Sequence, residues 1–141
     1  MFDADWKEAA RLVIKTFKEQ QRNKDKGPYK FERRTSWATD GVPLGGYGYP
    51  VKPNGLICSM FRPSDDATIY PYLVPSNFFA ITSLQQLATI AKEVYKDNAL
   101  AKESNDLATE VSNALQQHAT TTHPQFGKVY AYEVNGLGLL T

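Results

Sequence analysis

Apolar residues recur at steps of three and four in three stretches of the chain, and this spacing predicts three amphipathic helices. We expect them at residues 3–22, from Pro75-Ser76-Asn77 to about residue 95, and at about residues 99–118. Only Lys96-Asp97-Asn98 interrupts the pattern between the last two helices. Because that link is short, these two helices should pack antiparallel as a helical hairpin.

Side chains at the expected helix starts can accept bonds from the first free amides. Asp3 or Asp5 suits the start of the first helix, and Ser76, just after Pro75, suits the second. The basic side chains of the first helix lie opposite its apolar stripe, which favours a solvated face over a nucleic-acid patch.

Glycine, proline and aromatic residues replace this periodicity in residues 36–64. Their density forbids a long helix, and a loop of such length is usually functional or disordered. Disordered segments rarely keep so many aromatic residues, so we favour an ordered, functional loop. Residues 29–34 and 129–134 could each form a short strand, and residues 120–124 are expected to be a loop.

Composition places the chain among ordinary globular proteins. It has 141 residues, 42% hydrophobic and 22% charged, with a net charge of +1 that points to neither nucleic acid nor membrane. No apolar run is long enough to span a membrane, and none near the start resembles a signal peptide, so the compartment stays open. Cys58 is the only cysteine, which excludes an internal disulfide and favours a buried, inert thiol.

Two adjacent carboxylates, Asp65 and Asp66, follow Phe61-Arg62-Pro63-Ser64. Nearby aromatic and aliphatic groups would raise a carboxyl pKa, as a general acid requires, while Arg62 could keep the other carboxylate ionised. The alternative is that Ser64-Asp65-Asp66 merely caps a helical turn before Ala67.

Aromatic residues near this pair could stack on the apolar faces of sugars, although each alone is better explained as part of the core. The candidates are Trp37, Tyr47, Tyr49 and Tyr70. His118 and His123 lack further ligands for a metal site, and no phosphate-binding glycine motif is present. Ser64 has no apparent triad partner, which argues against a serine hydrolase.

Four blocks in order carry a family resemblance: residues 45–51, 54–56, 59–67 and 72–80, followed much later by residues 128–136. Together they resemble glycoside hydrolase family 125, the metal-independent exo-α-1,6-mannosidases, which include fungal proteins known as meiotically up-regulated. The resemblance is strong over residues 35–136 and weak over the first helix.

The resemblance implies a mainly α fold, an (α/α)6 barrel, and hydrolysis with inversion on an α-1,6-linked mannose oligosaccharide, without metal or cofactor. Asp65 is expected to be the general acid, with Asp66 as the second choice. Substrate contacts are expected from Arg62, Ser64 and the four aromatic residues named above. Glu133 is expected to line the site or to support it structurally.

A full family member is about three times longer, and its base is expected in a glutamate block beyond residue 141. At typical helix lengths these residues supply three or four of the twelve barrel helices. We therefore expect a single domain or fragment, residues 1–141, that carries the acid loop without the base. It would be a fragment, a truncated gene product, or a chain that associates to cover its exposed helix edges. The alternatives are a non-catalytic carbohydrate-binding or interaction module and an active enzyme assembled from several chains.

Overall fold

Three long helices dominate the computed structural model, which describes residues 3–141. They are α1 (Ala4–Gln20), α3 (Val74–Glu93) and α4 (Asn98–His118). A short turn, α2 (Pro43–Gly46), and a 3-10 turn, Ala38–Asp40, lie in the long segment between α1 and α3. The prediction of a mainly α fold with a long irregular segment is confirmed. Among residues 3–141, no helix combines the length and apolar character needed to cross a membrane.

The helix starts show which capping predictions hold. Asp3 caps α1 by accepting a bond from the Trp6 amide at 2.9 Å. The prediction for Ser76 is wrong, because α3 begins at Val74 without a side-chain cap. The Val74 amide instead donates to the Tyr132 carbonyl at 2.9 Å, so a distant segment satisfies the first turn.

The antiparallel hairpin of α3 and α4 forms the larger part of the core. Small alanines are interspersed with leucines among the buried residues of the two helices. The Asp97 amide closes the link between the helices by donating to the Ala91 carbonyl at 2.9 Å. The buried contact residues are Ala80, Leu84, Ala88 and Ala91 on α3, and Leu100, Ala101, Leu107, Ala108 and Val111 on α4.

Helix α1 lies against this hairpin through buried Ile14 and through ion pairs with α4. Lys7 Nζ lies 2.6 Å from Asp97, and Lys18 Nζ lies 2.6 Å from Glu103. The rising order of both partners shows that α1 runs parallel to α4. The basic face that we expected to be solvated is therefore also an electrostatic contact with α4.

The strands are short and form two separate antiparallel pairs. β1 (Tyr72–Leu73) pairs with β4 (Glu133–Val134), and β2 (Thr120–His123) pairs with β3 (Gly127–Tyr130). The expected loop at residues 120–124 is thus mostly strand, and the expected strand at residues 129–134 is divided between two pairs.

The strand expected at residues 29–34 is not formed. The Phe31 amide bonds to the Gly46 carbonyl at 3.0 Å, but the flanking residues find no continuous ladder. Gly46 has a φ of 81°, and a Cβ there would lie 2.8 Å from the Phe31 carbonyl oxygen, so only glycine fits this crossing.

A second core cluster lies under the long loop and fixes it to the helices. Leu56, Cys58, Tyr72, Leu115 and Val134 are among its buried members. Burial raises the pKa of the Cys58 thiol to about 12, so this cysteine is a packing group, as the sequence indicated. This cluster therefore holds the loop against the helices and gives the residues that follow the loop a fixed support.

Candidate functional site

The segment Phe61-Arg62-Pro63-Ser64-Asp65-Asp66-Ala67 forms a tight hairpin, which we call the acid hairpin. The Arg62 amide donates to the Asp66 carbonyl at 2.8 Å, and the Asp65 amide donates to the Arg62 carbonyl at 3.0 Å. Phe61 and Ala67 pair as an isolated bridge at its base. This is a three-residue hairpin turn, so the alternative of a helix cap before Ala67 is wrong.

Asp65 occupies the left-handed position that such a turn requires, with a φ of 67°. Aspartate tolerates this conformation better than most residues because its short side chain can bond locally. The carboxylate of Asp65 is exposed, so residues 3–141 do not give it the apolar surroundings that the sequence suggested.

Asp66 has a different environment from its neighbour. It is partly buried, and its Oδ2 accepts a bond from Ser64 Oγ at 3.0 Å. That bond occupies the Ser64 hydroxyl within the turn. The two carboxylates therefore present one exposed and one partly engaged acceptor at the same hairpin.

Glu133 lies beneath the acid hairpin and is fully buried, with 0% of its surface exposed. Its Oε1 accepts from Arg62 Nε at 2.7 Å, and its Oε2 accepts from Arg62 Nη2 at 3.1 Å. Oε2 also accepts from the amides of Ile69 and Tyr70, at 3.0 and 3.1 Å. A buried carboxylate is tolerated here because a bidentate cation and two amides replace its water.

Arg62 is held between this carboxylate and an aromatic ring. Its hydrogen bond to Glu133 raises the pKa of the guanidinium above its usual value, so Arg62 stays charged. The guanidinium carbon lies 5.5 Å from the centre of the Tyr132 ring, within cation–π range. Sequence reasoning did not single out Tyr132, although its position directly before Glu133 was a usable signal.

The four aromatic candidates do not form one cluster. Trp37 is exposed, and its turn reaches the acid hairpin through a 2.8 Å bond from the Ala67 amide to the Thr39 carbonyl. Tyr70 also lies near the acid hairpin, because its amide donates to Glu133, which bonds to the hairpin through Arg62.

Tyr47 and Tyr49 line a separate recess of about 260 Å³ together with Arg22 and Lys26. Lys26 Nζ lies 5.4 Å from the centre of the Tyr47 ring. Arg22 is buried and donates to the Tyr47 carbonyl at 2.9 Å, which makes this part of the loop rigid. The recess is thus a second aromatic surface, and its lining includes both basic side chains and Asp25.

Histidine and acidic side chains do not gather into a metal-binding group within residues 3–141. His123 Nδ1 accepts from the amides of Gln125 and Phe126, at 3.1 and 3.3 Å, and so serves the turn between β2 and β3. His118 is exposed at the last turn of α4. His123 thus supports a turn, and His118 lies at a helix end.

Comparison with known proteins gives one consistent result. The family described as metal-independent α-mannosidase, glycoside hydrolase family 125, matches residues 1–141. The Meiotically up-regulated gene 157 protein of Schizosaccharomyces pombe is 34% identical over 147 aligned positions, which cover 98% of this chain and 29% of that protein.

A solved structure from Streptococcus pneumoniae also matches. It is a metal-independent α-mannosidase in a non-productive substrate complex with α-1,6-mannobiose. The TM-score is 0.94 at 31% identity, over 99% of this chain and 33% of that one. The chain thus spans about a third of the length of both relatives.

Proposed function

Because this chain belongs to the metal-independent α-mannosidases of glycoside hydrolase family 125, we propose that it supplies the general-acid part of an inverting α-mannosidase catalytic domain. The observation that carries this proposal is the acid hairpin, which exposes Asp65 and is held in place from below by buried Glu133. A rigid support and an accessible carboxyl group are two requirements of a proton donor, and the raised pKa that it also requires would have to come from protein surface outside residues 3–141.

Asp65 is the proposed acid. In its protonated form it gives its proton to the glycosidic oxygen as the bond from that oxygen to the anomeric carbon breaks. A water molecule attacks the anomeric carbon from the opposite face and loses a proton to a carboxylate base. The products are two sugars, and the configuration at the anomeric carbon is inverted. Asp66, which is held by Ser64, is the second choice for the acid and otherwise orients the turn.

Glu133 is not suited to be the base. Its two oxygens already accept four bonds, and no part of its side chain is exposed. The base has to reach a water molecule on the far side of the sugar, and in inverting enzymes the two carboxyl groups are therefore about 6.5–9.5 Å apart. We therefore propose that the base lies outside these 141 residues.

The proposed substrate is an α-1,6-linked mannose oligosaccharide, since the bacterial relative was captured with α-1,6-mannobiose. Trp37, Tyr70 and Tyr132 belong to segments that contact the acid hairpin or the residues that support it, and so are the proposed stacking or positioning groups near the acid. Tyr47 and Tyr49 would contact a more distant part of the oligosaccharide. Neither a cofactor nor a nucleic acid has a role in this proposal.

Exposed apolar side chains support the proposal that these residues form part of a larger (α/α)6 domain. Phe79 and Phe126 are 74% and 70% exposed, and Leu137 and Leu139 are more than half exposed. Leaving such surface in water costs about 25 cal/mol per Å². We propose that further protein surface covers these side chains.

A chimera tests the proposed function. Residues 1–141 replace the matching third of the Streptococcus pneumoniae enzyme, and hydrolysis of α-1,6-mannobiose is measured once thermal melting shows that the chimera is folded. Asp65→Asn should lower kcat by about 10²- to 10⁴-fold, which is the range for loss of general-acid catalysis. The matched control is Asp106→Asn, an exposed α4 carboxylate that should leave kcat unchanged.

The other outcomes are equally informative. If Asp66→Asn abolishes turnover while Asp65→Asn does not, the assignment of the acid is wrong. A folded chimera without turnover contradicts the catalytic proposal. Binding of α-1,6-mannobiose by the isolated chain would then favour the second candidate, a non-catalytic carbohydrate-binding module, for which the exposed rings of Trp37 and Tyr49 are the supporting observation.

A further inference from the structure

We propose that Glu133 is a positioning residue that sets the orientation of the acid hairpin relative to the helical core. The structural part of this inference stands on the contacts of Glu133 alone. Its catalytic consequence rests on the function proposed above. Glu133 is too deeply buried to touch a sugar, so it would act only through the residues bonded to it.

Glu133 holds the acid hairpin on both sides. Arg62 lies on the first arm of the hairpin, and its guanidinium forms two bonds to the carboxylate. Ile69 and Tyr70 follow the second arm, and both of their amides bond to Oε2. One side chain therefore joins the two ends of the segment that carries Asp65 and Asp66.

The anchor itself is fixed to the core. Glu133 pairs with Leu73 in the β1–β4 ladder, directly before α3 begins. Its carbonyl also accepts from the Thr141 amide at 3.0 Å, and the next residue, Val134, is buried in the second core cluster. Movement of the carboxylate is thus limited by main-chain bonds and by packing.

The other bonds of the acid hairpin lead to the loop rather than to the helices. The Ala67 amide bonds to the Thr39 carbonyl at 2.8 Å, and the Thr68 amide bonds to Met60 at 3.1 Å. Thr68 Oγ1 bonds to the Ser59 carbonyl at 2.8 Å. Without Glu133 the turn could keep its shape while its direction changed.

Glutamine at position 133 keeps the size of the side chain but offers one acceptor oxygen and an NH₂ group. An NH₂ group in place of Oε1 would lose the bond from Arg62 Nε, and one in place of Oε2 would lose the bonds from Arg62 Nη2 and from both amides, since all of these partners are donors. The substitution therefore breaks at least one bond to Arg62 and removes the charge that strengthens the remaining bonds.

Hydrogen exchange on the 141-residue chain tests the structural part. In Glu133→Gln the Ala67, Ile69 and Tyr70 amides should exchange at least about tenfold faster, because the Ala67 bond to Thr39 depends on the orientation of the hairpin and the other two amides bond to Glu133 Oε2 itself. Core amides of α3 and α4 should change much less. The matched control is Glu103→Gln, which removes an exposed carboxylate paired with Lys18 at 2.6 Å. Unchanged exchange at Ala67, Ile69 and Tyr70 would overturn the proposal.

Arg62→Lys is a second variant that tests the same attachment if Glu133→Gln fails to fold. It keeps the positive charge but forms one bond in place of two, so it should fold and show a smaller increase at the same amides. An increase spread evenly over α3 and α4 in both variants would mean that Glu133 only stabilises the fold, and the proposal would be wrong.

The kinetic constants of the chimera distinguish a positioning role from a purely structural one. In the folded chimera Glu133→Gln should lower kcat by about 10- to 100-fold and leave KM within about twofold, since misplacing the acid affects the transition state more than binding. A raised KM with unchanged kcat would contradict the positioning role. If exchange responds as expected but no chimera is active, the attachment stands and the proposed function fails.

Discussion

The loss of stability on removing the Asn77 side chain can be worked out from its hydrogen bonds. Asn77 lies in the first turns of α3, is 1% exposed, and pairs with the loop residue Ile57 on both of its main-chain groups. Asn77 Oδ1 accepts from the Ile57 amide at 2.8 Å, and Nδ2 donates to the Ile57 carbonyl at 3.0 Å. A third bond goes from Nδ2 to the Leu73 carbonyl at 3.0 Å.

Asn77→Ala leaves two buried groups of Ile57 without a partner. Each such group costs about 1–3 kcal/mol, which gives about 2–6 kcal/mol in total. The Leu73 carbonyl keeps its helical partner, and alanine recovers about 0.5 kcal/mol of helix propensity. We expect the free energy of unfolding to fall by about 2–5 kcal/mol, measured by urea denaturation.

Asn77→Asp separates hydrogen bonding from size. The new carboxylate would face the Ile57 carbonyl, so its pKa should rise in the folded state. The penalty from the charge is then full above the raised folded pKa, shrinks as the pH falls through that pKa and is gone below the unfolded pKa of about 3.9, whereas the penalty of Asn77→Ala should not change. Asn113→Ala, at an exposed α4 position, is the control. A loss below about 1 kcal/mol in Asn77→Ala would refute the reasoning.

Two further predictions concern backbone fit and charge. Gly136→Ala should destabilise the chain by at least about 2 kcal/mol in urea denaturation, because φ is +72° and the new Cβ would lie 2.4 Å from the Lys52 carbonyl oxygen. Gly138→Ala, with φ of +93° and open space, has the strain without the clash, and an equal loss there would contradict this explanation. Asp97→Asn keeps the α4 cap but loses the negative charge. The hydrogen bond from Lys7 lowers the pKa of Asp97 in the folded chain. The stability difference from the original chain should therefore be present above about pH 4 and disappear as the pH falls through the folded pKa. A difference that persists in thermal melts at pH 2 would show that the charge is not responsible.

Periodicity predicted the helices well because their apolar stripes are long and regular. It misplaced the start of α3, since a main-chain bond from Val74 to Tyr132 replaces the cap expected from Ser76. The strands were predicted poorly because two of them have only two residues, which is too short for alternation to register. The positions of these two strands depend on partners 60 or 62 residues away.

The acid hairpin shows a similar limit. Its residues were singled out by type and by resemblance, but the turn that displays Asp65 and engages Asp66 was not foreseen. Arg62 and Glu133 are 71 positions apart, so no local pattern could pair them. Glu133 was expected to line or support the site, and its complete burial gives a physical form to the supporting role.

The Arg62–Glu133 contact also has a consequence for the order of folding. Helices α3 and α4 meet through a short link and can form early, whereas closing a loop of this length carries a greater entropic cost. During synthesis on the ribosome, Arg62 emerges long before Glu133, and both helices lie between them. We expect the hairpin bearing Asp65 to reach its final orientation only after Glu133 has left the exit tunnel, so within residues 3–141 the turn that carries the two aspartates would become native later than the α3–α4 hairpin.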